Sequence, residues 1–234
     1  MTAMPMPRTI AAIIALLAPC LAYLAVLSMT ERWLIGDTPS AGKEQRAALA
    51  LRDNVTPFQK WGSRQFTWPY LQKHYDAAWY FTQSNSNDCK MEFQSSLATA
   101  LAQFSHVDLY LLAHDNQFVR WVAELPAHRR ARLRLVYNTG CRDLQQGPMW
   151  LNLGSKAYVG HPGVSASPVF YFYFLRRWTR GVILQDAIDE SNALMRSTLS
   201  RVELLSFGAV DAASLSQESE AFCHGDIRLR FAGP

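Results

Sequence analysis

The sequence has no Lys/Arg-rich block, no Cys/His cluster at metal-ligand spacing and no glycine-rich phosphate loop. The first absence argues against a nucleic-acid partner. HRRARLR at 128–134 and RRWTR at 176–180 are local clusters, and basic and aromatic residues do not interleave into a stacking platform. The second argues against a zinc site, and the third against a nucleotide cradled by backbone amides. No metal and no cofactor is expected, and no internal repeat is present. Charge is scarce: 18% of the 234 residues are charged and 49% hydrophobic, with a formal net charge of +4. So apolar a chain buries a core or meets a membrane and is not disordered. Its length suits one sizeable domain plus an appendage.

One long hydrophobic run is present. Residues 10–29 carry no charge, enough to span a bilayer as a helix. Pro19 is tolerated in a membrane helix, and Trp33 falls just past the end, where an interfacial aromatic is expected. A secretory signal has a shorter apolar core and a small-residue cleavage site, which Ser28-Met29-Thr30 does not supply. LAPC at 17–20 resembles a lipoprotein site only in part, because Pro19 precedes the cysteine and the run continues beyond it. Residues 1–35 are therefore read as an uncleaved single-pass membrane anchor. Arg8 precedes the run, and Glu31, Arg32 and Asp37 follow it. That bias puts the amino terminus inside and the domain outside, in a periplasmic or other extracytoplasmic space; a domain tethered to the inner leaflet is the other orientation.

Residues 36–57 are expected to be a polar linker, GDTPSAGKEQ, followed by a short helix over 46–56. The domain is expected over 58–234. Its aromatic-dense opening from Phe58 to Phe81 is read as a packed lead-in or, alternatively, a hydrophobic substrate surface or membrane-facing skirt. Beyond it, strand-like and helix-like segments alternate. Strands are expected at Ala77–Thr82, Val107–Ala113, Leu133–Tyr137 and Lys156–Val159. Helices are expected at Met91–Phe104, Phe118–Leu125, after the Ser167-Pro168 cap, and over Leu184–Ser197. Ile227, Leu229 and Phe231 alternate with Arg228 and Arg230, as in a half-exposed edge strand. The fold class is α/β, with a mainly parallel central sheet flanked by helices.

Two apolar runs end in residues that do chemistry: VDLYLLAH closes on His114 and RLRLVYNTGC on Cys141, with room for one helix between them. A βαβ unit of this kind puts both strand ends on the rim that faces the binding crevice. There an imidazole can take the thiol proton, pair with the thiolate and protonate a leaving group. Gly140 suits a tight turn before the thiol. Asn138 and Thr139 shape the pocket or satisfy the strand end, and His161 and Ser165 lie in the next strand-end loop as candidate substrate contacts. Otherwise Cys141 is a small buried hydrophobe and His114 a hydrogen-bonded strand-end residue. Cys89 and Cys223 remain outside the run and the pair, and in an oxidising compartment they are candidates for a disulfide.

Four stretches in this order also carry a resemblance. VDLYLLAH, RLRLVYNTGC, LGSKAYVGHPGVSASPVFYFYFLRRWTRG with LQDAIDESNAL, and HGDIRLRF together resemble the caspase-like superfamily of cysteine peptidases over residues 77–231. The nearest likeness is to the bacterial CHAT, gingipain-like and clostripain-like branches. The resemblance implies a caspase-like three-layer sandwich, a peptide or protein substrate, His114 as general base and acid, and Cys141 as nucleophile. It also implies an oxyanion hole from the Cys141 amide and one near Asp115. Asp115 stands where the family usually has glycine. Thr139 stands where branches cleaving after Arg or Lys often carry an acid, so that specificity is not expected. An active peptidase and a catalytically silent module that binds a protein partner at the membrane are both compatible with these departures.

Overall fold

The computed structural model describes residues 17–19, 21–26, 28–30, 33, 45–114, 117–165 and 167–231. The expected anchor over 10–29 falls partly outside the described residues. Those described between 17 and 33 are helical, and among the described residues no helix is long and apolar enough to cross a membrane.

Residues 46–52, expected to lie in a linker helix, are instead the strand β1 (Arg46–Arg52) inside the sheet. The run RAALALR is rich in good helix formers, yet residues 46–51 are all buried and strands pair on both sides. Burial on two faces gives a parallel strand the continuous apolar pattern that sequence alone does not separate from a buried helix. The domain thus starts at β1 rather than at residue 58. The other strands are β2 (Ala77–Thr82), β3 (His106–Leu112), β4 (Leu133–Asn138), β5 (Ala157–Gly160) and β6 (Phe222–Gly225), in the order β2-β1-β3-β4-β5-β6. All pairings are parallel except the last, β5 with β6.

Nine α-helices are described from residue 57 onward: α1 (Pro57–Phe66), α2 (Trp68–His74), α3 (Lys90–Gln103), α4 (Gln117–Ala123), α5 (Ala127–Arg130), α6 (Gly147–Asn152), α7 (Ser167–Trp178), α8 (Leu184–Leu205) and α9 (Ala212–Ser219). Alternation along β1 divides the core. Ala47, Leu49 and Leu51 join Phe93, Leu97 and Leu101 of α3 and Phe118 and Val122 of α4. Ala48 and Ala50 join Phe66, Tyr70, Phe172, Phe174, Trp178 and Ile188 on the opposite face. The result is a three-layer α/β/α protein. Much of the aromatic-dense opening belongs to this core: Phe66, Tyr70, Tyr75 and Phe81 are buried.

The alternating stretch 227–231 is not a strand. Its carbonyls cap α8 instead: Leu184 N–H donates to Leu229 O at 2.8 Å and Gln185 N–H to Ile227 O at 3.1 Å. A helix N-terminus has orphan amides to satisfy, and here the tail satisfies two of them. The edge strand lies just before, at β6, and Gly225 (φ +96°) turns the chain out of it.

Candidate active site

The chain order reverses between β1 and β3, from which connections leave to opposite sides of the sheet. In open α/β sheets the ligand crevice lies outside the carboxyl ends of the strands at this switch point. Asp53 directly follows β1, His114 closely follows β3, and Cys141 closely follows β4.

Asn138, the last residue of β4, ties two of these ends together. Its Oδ1 accepts the amides of Ala113 at 3.2 Å and Gly140 at 3.0 Å, and its Nδ2 donates to Ala113 O at 3.1 Å. Thr139 donates its amide and hydroxyl to Leu111 O at 2.8 and 3.3 Å. Both side chains are fully buried, so they splint the rim and do not wall a pocket. Gly140 is required by close approach: a Cβ there would lie 1.9 Å from Ala113 O and 2.7 Å from its carbonyl carbon. The residues directly before His114 and Cys141 are therefore in backbone contact. Gly140→Ala is expected to force the two turns apart and to destabilise the domain by about 1–3 kcal/mol, as overpacking does. A urea midpoint unchanged from wild type would show that the contact is relaxed at no cost.

The His114 side chain is 46% exposed. Its amide donates to Asp53 Oδ2 at 2.8 Å, and its ring Nδ1 stands 3.7 Å from Asp53 Oδ1, a buried oxygen with no hydrogen-bond donor among the described residues. Asp53 thus fixes the backbone of His114 and faces its ring. With Nδ1 turned to a carboxylate, Nε2 is left to exchange protons with a substrate or nucleophile. Cys141 is a half-buried free thiol. No hydrogen bond joins its sulfur to the His114 ring among the described residues, and its amide has no acceptor there either. A free amide beside the thiol is the group an oxyanion needs. Asp115, expected near the second donor, lies outside the described residues.

Arg142 has φ +57°, a left-handed conformation that costs a non-glycine residue about 1–2 kcal/mol. The loop after β5 holds it there, through Arg142 N–H to Gly163 O at 2.9 Å and Leu144 N–H to His161 O at 3.1 Å. Such over-determined strain is common beside functional groups. Next to it, Arg142, Leu144, Gly163, Glu218, Glu220 and Phe222 border an open groove of about 660 Å³.

Two expected crevice residues are core residues. The His161 ring is fully buried and stacks on Tyr137 at 5.9 Å, with Nδ1 2.8 Å from Ser219 O; burial pushes its pKa down to about 4. It fastens the loop after β5 to the end of α9. Ser165 in the same loop is buried too. Cys89 and Cys223 are free thiols, not a disulfide. Cys89 belongs to the core on the α3 side, whereas Cys223 lies in β6, the edge strand at the far side of the sheet from β2. Burial raises their pKa values to about 11 and about 12.

Sequence reasoning missed Asp53 and Asp143. Asp53 follows a run whose strand character was hidden, which hid its place on the rim. Asp143 is almost wholly buried: its Oδ1 accepts the His161 amide at 2.8 Å, and its Oδ2 has no partner among the described residues. Burial raises its pKa to about 8, with backbone donors pulling the other way. The folded state therefore keeps a proton that the unfolded chain has lost, and the stability Asp143 contributes at low pH is lost as pH rises to about 8. His161 has the opposite slope, losing stability as pH falls from 6.5 towards about 4. Of these two slopes, only that of Asp143 remains between 6.5 and about 8. Asp143→Asn, which keeps an acceptor for the His161 amide, should gain on wild type steadily as pH rises towards 8; parallel urea midpoints across that range would refute a buried neutral carboxyl.

Fold and rim together define an α/β protein with a thiol, an imidazole and a carboxylate beside the switch point of a mainly parallel sheet. No protein-family model matches the sequence, and no curated protein matches it significantly.

Proposed function

We propose that the chain is a membrane-anchored, caspase-like cysteine endopeptidase acting on a peptide or protein substrate, without metal, cofactor or nucleic acid. His114 Nε2 takes the Cys141 proton as Sγ attacks the scissile carbonyl carbon, and the Cys141 amide receives the developing oxyanion. The imidazolium then protonates the leaving amine. Water, deprotonated by the same ring, hydrolyses the thioester and restores the thiol. The observation that carries this reading is the backbone contact between Gly140 and Ala113, which sets thiol and imidazole on one rim with Asp53 behind the ring. Support for the caspase-like reading comes from the strand succession, in which the motif-bearing parallel strands are followed by an antiparallel closing strand at the start of HGDIRLRF. The anchor reading rests on the uncharged run 10–29 and carries with it an extracytoplasmic domain.

A second reading, a catalytically silent module that binds a protein partner at the membrane, is favoured by the missing hydrogen bond between the His114 ring and Cys141. Iodoacetamide on the full chain separates the two, with Cys89 and Cys223 as slow internal references because both thiols are held protonated. The peptidase reading expects Cys141 to be alkylated first at near-neutral pH, and His114→Ala to slow that reaction selectively. If Cys141 reacts no faster than the references, and Cys141→Ala changes no cleavage of a mixed peptide library, the enzyme reading fails.

A further inference from the structure

The turn between α8 and α9 exposes apolar side chains that the core does not use. Residues 204–210 read LLSFGAV, seven positions without a charge. Leu204 is 77% and Phe207 83% exposed, and Gly208 and Ala209 are exposed beside them. The turn is closed by hydrogen bonds: Phe207 N–H to Leu204 O at 3.2 Å, Gly208 N–H to Glu203 O at 2.9 Å and Ala209 N–H to Ser206 O at 3.1 Å. Phe207 sits at φ +53° and Gly208 at φ +79°. A phenylalanine in the left-handed region bears strain that glycine would avoid, and here it presents a large ring to the outside on a fixed turn. The flanking acids, Glu203 and Asp211, are at the base of the turn, each accepting a backbone amide, from Ala212 at 3.3 Å and Ser214 at 2.9 Å.

What lies beside this tip indicates what it meets. One turn of α8 before Leu204, Arg201 Nη1 donates to the Tyr23 hydroxyl at 3.4 Å. Tyr23 belongs to the uncharged run 10–29, whose described members Leu21, Val26 and Met29 are themselves exposed. The tip therefore stands one helical turn from a contact between the domain and the apolar run. Tyrosine is enriched at the headgroup level of a bilayer, and a long arginine side chain near a span keeps its charged end at that level.

We propose that residues 204–210 form a second membrane contact, seating Leu204 and Phe207 in the headgroup–acyl boundary of the bilayer that the N-terminal run enters. This rests on the anchor reading and is independent of the peptidase chemistry. Two contacts fix the orientation of the domain on the surface where one tether leaves it free to swing. An exposed apolar turn of this size reaches the roughly 5–10 Å depth typical of interfacial segments.

Amide hydrogen exchange on the full chain in phosphatidylcholine vesicles tests it, comparing wild type with the double variant Leu204→Ser, Phe207→Ser. Both changes fall on exposed side chains and leave the backbone hydrogen bonds of the turn in place. Exchange over 204–210 is expected to be roughly tenfold slower in wild type than in the variant, after correction for intrinsic rates, with 10–29 equally protected in both. The difference should close when an amphipathic polymer replaces the lipid. Equal exchange over 204–210 with 10–29 protected overturns the tip and leaves the anchor standing. A run 10–29 without protection overturns the anchor reading and the tip with it. A difference that grows with protein concentration at fixed lipid identifies a second copy of the chain as the occupant and also overturns the proposal.

Discussion

Asp108→Asn is expected to cost roughly 3–5 kcal/mol of stability, because it leaves the Arg134 guanidinium buried and uncompensated. Asp108 and Arg134 lie in adjacent parallel strands and are almost wholly buried; Arg134 Nε and Nη2 reach the two carboxylate oxygens at 2.8 and 2.6 Å. Tyr75 Oη donates to Asp108 Oδ2 at 2.5 Å and Trp178 Nε1 to the same oxygen at 3.3 Å. Burial alone would lower the Arg134 pKa, but the Asp108 charge and hydrogen bonds outweigh it and hold the guanidinium charged. The remaining donor, Nη1, reaches Phe231 O at 2.7 Å, and the guanidinium stacks on Trp178 and Phe231. This pins the tail that caps α8, so the loss should spread to the α8 N-terminus as well as to the sheet. Replacing both partners, Asp108→Leu with Arg134→Met, should cost much less than Asp108→Asn, since no charge is left without its partner. Urea unfolding of the single and double variants gives the coupling. A loss under about 1 kcal/mol in Asp108→Asn would mean that water reaches Arg134 and the pair is not dry.

This network was illegible in the sequence for the same reason that β1 was. Asp108 stands inside VDLYLLAH and Arg134 inside RLRLVYNTGC, where single charges in apolar runs give no sign of meeting; the pairing depends on the register shift between Val107 and Asp108, at which Arg134 is the extra residue of β4. The two strands themselves were legible, because each is a short, mostly apolar run closed by a turn. β2, α3 and α7 were legible too, from run length, periodicity and the Ser167-Pro168 start. β1 was not, since RAALALR satisfies helix propensity and strand burial equally well. The failure at 227–231 was of another kind: a period of two is necessary for a half-exposed strand but is also met by a tail that turns at 227–228 and caps a helix with its carbonyls. Of the rim, His114, Cys141 and Gly140 could be placed from local pattern alone. Asp53 could not, because its role depends on β1 pairing beside β3.

Asp53 then supplies the sharpest test of the chemistry. His114→Ala is expected to lower kcat by roughly 10²–10⁴-fold, the usual contribution of a positioned acid–base group. Asp53→Asn separates the two things that Asp53 does. The asparagine oxygen still accepts the His114 amide, so the backbone anchor is kept, but the carboxylate facing Nδ1 is gone and an amide N–H can stand in its place. That favours the tautomer with the proton on Nε2, which cannot take one from a thiol. The expected result is a fall in kcat of at least about tenfold with KM unchanged, the signature of an interaction made in the transition state rather than in binding. The urea midpoint should stay close to that of wild type, which a purely structural role for Asp53 would not allow alongside lost turnover. If Asp53→Asn keeps kcat within about twofold while His114→Ala does not, Asp53 is only a backbone anchor and the imidazole works without a carboxylate. If neither change lowers kcat, the thiol on this rim does not use His114 at all.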